Sequence, residues 1–528
     1  MVRSTFAGFT TAYLALQANQ RAIDVTGQNI SNEQTEGYTR QRLDLASITP
    51  TGNGYGNMQA NTKVGQGVYM TGVIQIRDPY VDIQYRNQMS MVGTTEAQDA
   101  FLADVGNVFD EVDNSEIRED LSNIISMLNN MASPESVAES SSDAMVRSSM
   151  QVLINALHQK SVELAQIRSD TEAQLQDTDI ANLNTYLENI VSLNKSIKDA
   201  NVLGAPALEL VDERNALIDK VAEYVPSEVS YRTVNMGSGI SVDTLHINMQ
   251  TSDGVGIPLI DDCVDPGQFS VDIDNPTRVI LRDTAGGDNG DVADVLEEGK
   301  LRGILDVLNK SGEYDNTNFR GLGYYEKSLD AIVNQFATTF NDMNKAAATI
   351  TQQADGSYAV TAFEDRPLFE TLDGSTTFTA ANISIANDWV NNVYGITKSV
   401  TPDITGKIGG TDYTNVLKMI DSMSASQEFL LTDGTGGVYF NGSFAEAFEN
   451  LQNVQAVDRQ ASSQVLKNRN TVLNQISDTK DSISSVSTDE EIINLMRFQR
   501  SYSATSRFMT TLDELLDKLI NGTGTVGR

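Results

Sequence analysis

The chain has almost none of the residues that form disulfides and histidine-based metal sites. Its single cysteine, Cys263, cannot form a disulfide within one copy. Its two histidines, His158 and His246, lie far apart in the sequence and form no zinc motif. No apolar run approaches the roughly 20 residues that cross a bilayer, so we expect no membrane insertion. The first residues also lack the apolar core of a cleaved signal peptide, and we expect none.

Positive charge is scarce, and the charges are unevenly distributed. The 528 residues include 72 acidic and 37 basic side chains, a net charge of −35. This balance argues against nucleic-acid binding, because phosphate backbones require local positive charge. Residues 1–60 are neutral and residues 485–528 carry −1, which leaves −34 on residues 61–484. Neutral ends suit the packing of copies against one another, although drift of surface composition explains the same pattern equally well.

Both ends of the chain repeat apolar residues in alternating steps of three and four. Such steps place side chains on one stripe of a helix, as in the seam of a coiled coil. For either end alone, a globular helix with a core-facing stripe is the simpler interpretation, but two such helices at opposite ends favour pairing of the termini. The predicted stripes consist of Phe6, Phe9, Tyr13, Leu16, Ile23 and Ile30, and of Leu495, Phe498, Tyr502, Met509, Leu512, Leu516 and Leu519.

Glycine and proline separate helical segments from β-rich segments. Long stretches that are poor in both predict helices, at 96–225 and about 443–480. A further helix is predicted at 323–345 by an apolar face of Tyr325, Leu329, Ile332, Phe336, Phe340 and Met343. Segments rich in glycine and threonine predict strands and loops, at 50–72, 233–290 and 350–442. Within the last of these, residues 378–390 (FTAANISIANDWV) are also strand-like.

This order predicts an elongated α+β multidomain protein. We expect long terminal coiled-coil helices and a helical-bundle domain from which β-rich domains are inserted. The predicted parts are a terminal assembly domain (1–60 with 485–528), a helical rod domain (61–225, 296–349 and 443–484), a first β-rich insert (226–295) and a second (350–442).

The search for catalytic chemistry finds no convincing site. The sequence has no nucleophile elbow, no paired-histidine zinc motif and no phosphate-binding loop. The acidic segment 286–298 lacks the ligand spacing of a calcium loop, so a solvated loop is the better interpretation. We therefore expect a protein that is not an enzyme and that binds neither a cofactor nor a metal.

The segment that follows the first predicted helix carries a recognisable motif. Residues 29–41 (NISNEQTEGYTRQ) resemble the N-N-I-x-N-x-x-T-x-G-Y-x-R-Q signature of bacterial flagellar rod, hook and hook-associated proteins. Asn32 and Gly37 suit turns that stop a helix and redirect the chain. Tyr38 offers a rigid apolar anchor with a polar tip. We assign all three to the assembly interface with the two stripes.

Two further segments resemble the same family. Residues 489–502 (DEEIINLMRFQRSY) are similar to its C-terminal D-E-E-x-x-N-L-x-x-x-Q-x-x-Y motif. Residues 209–218 (ELVDERNALI) resemble a helix of those hook-associated members that join the hook to the filament. The acidic residues at 489–491 also suit a helix N-terminus.

The resemblance implies both a fold and a function. Terminal helices of each subunit would pair as a coiled coil around the export channel, with β domains projecting outward. The protein would be a structural adaptor between hook and filament, exported to the extracellular flagellum by the flagellar type III system. Implied partners are further copies of the chain, the hook protein, the second hook-associated protein and a flagellar export chaperone. The alternatives are another axial protein, of the hook or rod, and a secreted surface adhesin.

Overall fold

The computed structural model describes residues 5–48, 67–109, 111–133, 139–237, 240–310, 319–409, 412–431 and 437–522. The helices are α1 Thr5–Ser31, α2 Pro79–Val108, α3 Glu111–Ala132, α4 Glu139–Gln174, α5 Ala181–Val202, α6 Leu208–Tyr224, α7 Lys300–Asn309, α8 Leu322–Met343, α9 Asn387–Val390, α10 Thr414–Ser424, α11 Phe444–Ser484 and α12 Thr488–Gly522. A π-helical turn, Leu175–Ile180, joins α4 to α5.

The strands form small antiparallel sheets that are inserted between the helices. They are β1 Gln41–Ser47, β2 Val68–Gln75, β3 Ser227–Gly237, β4 Ile240–Met249, β5 Ile257–Asp261, β6 Gln268–Val271, β7 Val279–Arg282, β8 Asp288–Asp291, β9 Lys345–Gln352, β10 Tyr358–Asp365, β11 Phe369–Thr371, β12 Ile383–Ile385, β13 Gln427–Leu430 and β14 Val438–Gly442. Two sheets have three strands, in the orders β3-β4-β5 and β6-β7-β8, and the other strands pair in twos. The elements confirm the predicted α+β multidomain class.

The helical body forms around α2 and α11, which lie against each other. Local signals fix where each begins. Asp78 caps α2 by accepting a hydrogen bond from the Tyr80 amide, and the residue between them is proline, which suits a first helical position. Ser443 and Glu446 form a capping box at the start of α11. These caps satisfy amides that have no partner within the helix, so both helices start at defined residues.

The first β-rich insert shares a hydrophobic core with three helices. Apolar residues of β4 to β7 pack with α5, α6 and α7, and Ile247, Leu259 and Leu281 are fully buried among them. The chain returns to the helical body at Gly299, where φ is +107°. A Cβ at this position would lie 2.3 Å from the carbonyl oxygen of Tyr224, so only glycine fits. The insert is therefore tightly connected to the body at its base.

The second β-rich insert differs in part from the prediction. The expected strand at residues 378–390 is wrong over most of its length, because only Ile383–Ile385 forms a strand and Asn387–Val390 is a helical turn. The reason is a tertiary contact. The Trp389 indole is fully buried and donates a hydrogen bond to Asp143 of α4 (2.7 Å). The other carboxylate oxygen of Asp143 accepts from the Ile396 amide (2.8 Å), which fixes the loop that follows.

A buried carboxylate on α8 gives the fold a predictable pH dependence. Asp330 accepts a hydrogen bond from the Ala380 amide (2.8 Å), and burial raises its pKa from 3.8 to about 6. The folded state therefore holds this proton more tightly than the unfolded state. Asp330 therefore contributes fully to the free energy of unfolding below pH 3.8, and this contribution is lost as the pH rises through about 6.

We expect Asp330→Asn to stabilise the protein at pH 8 by about 1–2 kcal/mol, since the amide oxygen keeps the Ala380 bond without the buried charge. The advantage should vanish near pH 4. Denaturant unfolding at both pH values measures it. Asp342→Asn, an exposed change on the same helix, is the control and should show no such pH-dependent gain. If the two variants gained equal stability at pH 8, the buried charge of Asp330 would not be the cause of the pH dependence.

Candidate assembly site

The terminal helices α1 and α12 lie side by side and antiparallel. Near one end, a Cβ added at Gly8 would be 3.4 Å from Leu512 Cδ1. Near the other end, Asn29 Nδ2 donates to Glu491 Oε2 (3.2 Å). The same number of residues separates the two contact points on each helix, so one register runs along the whole pair. The predicted pairing of the termini is thus present within a single chain.

The α1 face that is buried differs from the predicted stripe. Its fully buried residues are mostly small: Ala12, Ala18, Ala22, Val25, Thr26 and Asn29. Small side chains at a helix contact let the two axes approach closely. The predicted stripe lies beside this face, where Phe9, Leu16, Ile23 and Ile30 are half-buried and Tyr13 is 54% exposed. Phe6 lies in the first turn of α1, and its side chain is outside the described part of the chain.

The predicted α12 stripe lies closer to the helix contact. Half-buried side chains along it are Leu495, Phe498, Met509, Leu512 and Leu516, whereas Tyr502 and Leu519 are exposed. Large apolar side chains off the stripe are also exposed, among them Met496, Phe508 and Leu515. The helix pair of one chain therefore leaves much apolar surface uncovered.

The signature segment turns the chain at the end of α1. The Asn32 side-chain amide donates to Gln28 O (3.0 Å), and the backbone carbonyl of Asn32 accepts from the Thr35 amide (3.0 Å). Gly37 has a φ of +77°, which is the left-handed turn conformation expected of this glycine. Tyr38 follows and is half-buried. These bonds fold residues 32–38 into a compact turn that returns the chain to α1.

Asn29, near the end of α1, makes the hydrogen bonds that hold the chain beyond this turn against α1. It was not among the predicted site residues. Its Oδ1 accepts from the Gln41 amide and the Tyr38 hydroxyl, both at 3.0 Å. Its Nδ2 donates to Gln41 O (2.9 Å) and to Glu491. All four hydrogen bonds that a side-chain amide can make are formed, at a position that is 1% exposed. The amide thus ties α1, β1 and α12 together.

Arg40 connects the turn to the start of α12. Its guanidinium pairs with Glu491 (2.7 Å), which is almost fully buried, and with the exposed Glu490 (3.0 Å). Its backbone amide donates to Ser484 O at the end of α11 (2.8 Å). Two of the three acidic residues at this helix N-terminus, Glu490 and Glu491, therefore also bind a cation.

The third motif, on α6, contacts the same turn. The Thr39 amide donates to Asp212 Oδ2 (3.0 Å), and Gln41 Nε2 donates to Glu209 (3.2 Å). Burial raises the pKa of Asp212, although the bonds from Thr39 oppose the rise. Burial, reinforced by Glu209, Asp212 and Glu491, also raises the pKa of Tyr38, so its hydroxyl keeps the proton that it donates to Asn29.

Ion pairs extend from this turn into the helical body. Asp219 of α6 accepts from Arg86 of α2 and from Lys480 of α11, both at 2.7 Å. The Lys480 ammonium also lies 4.3 Å from the centre of the Tyr85 ring. We call the whole arrangement, from Asn29 through Arg40, Asp212 and Glu491 to Asp219, the joint. Three motifs that are far apart in sequence meet there.

The described residues offer little for catalysis. His158 Nε2 lies 2.8 Å from Ile383 O, and His246 Nδ1 lies 2.7 Å from Asp261, so both rings bind structural partners. Within the described ranges, no group of three or more His, Cys, Asp or Glu side chains could hold a metal ion. None of the helices in these ranges is both long and apolar enough to span a bilayer.

Comparisons with known proteins agree with these motifs. Residues 102–410 match the family described as flagellar hook-associated protein FlgK helical domain, and residues 481–522 match flagellar basal body rod FlgEFG protein C-terminal. Flagellar hook-associated protein 1 of Bacillus subtilis (strain 168) is 27% identical over 99% of this chain and 100% of its own length. The protein of the same name from Escherichia coli (strain K12) is 24% identical, over 97% and 98%.

A solved structure has a similar fold. The flagellar hook junction protein FlgK from Burkholderia pseudomallei aligns with a TM-score of 0.52 and 14% sequence identity. The alignment covers 76% of this chain and 100% of the solved chain.

Proposed function

The chain belongs to the flagellar hook-associated protein FlgK family, and from this premise we propose that its copies assemble through their terminal helices into the junction between hook and filament. The protein has a structural role in the bacterial flagellum, within the axial structure and with hook components. One observation carries the proposal. A long pair of terminal helices, joined firmly to the body, leaves large apolar side chains uncovered in a single chain.

The uncovered side chains need neighbours. Tyr13 on α1 and Leu515 on α12 are each more than half exposed, and Ile520 is 69% exposed. Covering such side chains with those of adjacent copies removes apolar surface from water, at about 25 cal/mol for each Å². The small net charge of both terminal segments adds no strong repulsion, whereas the acidic middle would repel its copies if it were packed as closely.

The same proposal covers the specific partners and the route to the flagellum. We infer contacts with the hook protein on one side and the second hook-associated protein on the other. We also infer binding of an export chaperone, and export by the flagellar type III system. The protein acts without catalysis in this account, which is supported by its structural family and by the structural bonding of both histidines.

Imaging flagella of a strain that lacks the protein tests the proposal. Intact hooks without filaments are expected, with unpolymerised flagellin in the medium, and the unsubstituted chain should restore filaments. Missing hooks would instead indicate a hook or rod protein. Normal filaments with reduced surface attachment would indicate an adhesin. Either of these outcomes would overturn the junction assignment.

A further inference from the structure

We infer that α12 carries a charge lock between copies. In this lock, a groove bounded by Arg500 and Arg507 of one copy binds the acidic segment 513–517 of α12 in another copy. The inference rests on the proposed function, because it needs copies whose terminal helices lie side by side. It goes beyond that function by specifying which surfaces of α12 meet and how far the copies are displaced along the helix.

The charges on α12 are sorted into two bands. The first band holds only basic residues, Arg497, Arg500 and Arg507, and the second holds the acidic residues Asp513, Glu514 and Asp517 followed by Lys518. All of them are exposed. Within the described residues, none of the three arginines and none of the three acidic residues forms an ion pair. The two bands cannot meet within one straight helix, because its rise of 1.5 Å per residue keeps their centres roughly 20 Å apart.

The basic band includes a shaped surface. Six residues of one α12 face line a shallow, open groove of ≈ 460 Å³, in which the small Ser503 and Ala504 lie between Arg500 and Arg507; the other two are Met496 and Gln499. Seven residues separate the two arginines, which puts them on one face about 10 Å apart. Guanidinium groups bind carboxylates through paired N–H donors. Small floor residues between two such groups leave room for an acidic helix segment to approach closely.

A second copy is the occupant that the charges favour. Each chain carries one groove and one acidic segment on the same exposed helix, so a single contact can repeat from copy to copy. A contact between two different surfaces of identical chains gives an open series or a ring. About eleven residues separate the middle of the groove from Glu514, which implies a displacement of about 16 Å between copies along α12. Both charged bands lie on α12, which belongs to the helix pair that the proposed function places at the subunit interface.

Site-directed crosslinking in the assembled structure tests the predicted contact. Cys263→Ser removes the only native thiol from the full chain. In that background, Ser503→Cys and Lys518→Cys, both exposed positions of α12, are placed on separate chains that are expressed together in a strain lacking the native protein. A short bis-maleimide should give dimers when both chains are present, and few when either is present alone.

The outcomes separate this inference from the proposed function. Junctions that form without mixed dimers, or with Ser503→Cys dimers alone, would overturn the charge lock and leave the junction assignment standing. Failure of the unsubstituted chain to form junctions in the same strain, when it is exported and folded, would instead contradict the proposed function.

Charge reversal provides an independent test. Arg500→Glu with Arg507→Glu should lower the number of filament-bearing cells by at least about tenfold, because like charges then face each other. Glu514→Lys with Asp517→Lys should do the same, and all four changes together should restore filaments. Lys518→Glu is the matched control and should have little effect, since it adds acidity to the acidic segment. A defect only in the arginine pair would show that the groove binds a different acidic partner, and an unrescued fourfold variant would also overturn the lock.

Discussion

Arg40→Ala is expected to destabilise the joint by about 3 kcal/mol. The substitution leaves Glu491, whose side chain is 3% exposed, without the guanidinium 2.7 Å away that compensates its buried charge. Losing one partner of a buried pair costs far more than the pair contributes to stability, because the remaining charge stays desolvated. Hydrogen exchange of amides in the second half of α1 and the first turns of α12 measures the free energy of local opening. Those amides should exchange faster by about two orders of magnitude.

Arg42→Ala is the matched control, two positions further along the chain in β1. Arg42 is exposed and makes no ion pair within the described part of the chain, so its removal should change exchange little. The double variant Arg40→Leu with Glu491→Leu removes both charges and should recover much of the lost stability. Equal effects of Arg40→Ala and Arg42→Ala would show that the joint does not depend on this pair.

Leu516→Asp is expected to abolish assembly without unfolding the body. Leu516 lies on the half-buried side of α12, and the core residues of the body lie outside this helix. Aspartate there loses roughly 1–2 kcal/mol of apolar burial, and in assembled copies it also buries an unpaired charge. The purified chain should keep the melting temperature of its body and be exported normally. Cells carrying it should show hooks without filaments in electron micrographs.

Lys518→Asp, an exposed change two residues away, should be far milder. The two variants carry the same new side chain on the same helix, so the comparison isolates the position. If both assembled equally well, Leu516 would take no part in the contacts between copies. If Leu516→Asp lowered the melting temperature of the body, α12 would belong to the same cooperative unit as the body.

Element types followed from the sequence where the pattern was long or strict. An apolar face predicted α8 and a stretch free of glycine and proline predicted α11, both closely, and the segment 233–290 was expected to contain strands, as β4 does. The expectation failed at residues 387–390, where the contact between Trp389 and Asp143 of α4 decides the conformation. Such a contact joins residues 246 apart in sequence, and no local pattern contains it.

The candidate site was only partly accessible from sequence. Periodicity found the large side chains of α1 but not its buried face, because alanines such as Ala18 and Ala22 carry little hydrophobic signal. The first motif identified Asn32 and Gly37 correctly as parts of a turn. It did not show that the turn meets α6 and α12, since a hydrogen bond such as Asn29 to Glu491 depends on the whole fold. All three polar motifs resemble the same family, and none of them had another explanation. This shared resemblance was the signal that could have suggested that the motifs meet in the fold.

Hydrogen exchange at the Thr39 and Gln41 amides tests the central claim most directly, namely that the motifs join the assembling helices firmly to the body. These amides donate to side chains, Thr39 to Asp212 Oδ2 and Gln41 to Asn29 Oδ1, both at 3.0 Å. In the full chain, both should exchange far more slowly than in an unfolded peptide, and Asn29→Ala should remove the protection at Gln41. Exchange at the unfolded rate in the unsubstituted chain would mean that the joint does not form, and would contradict the account.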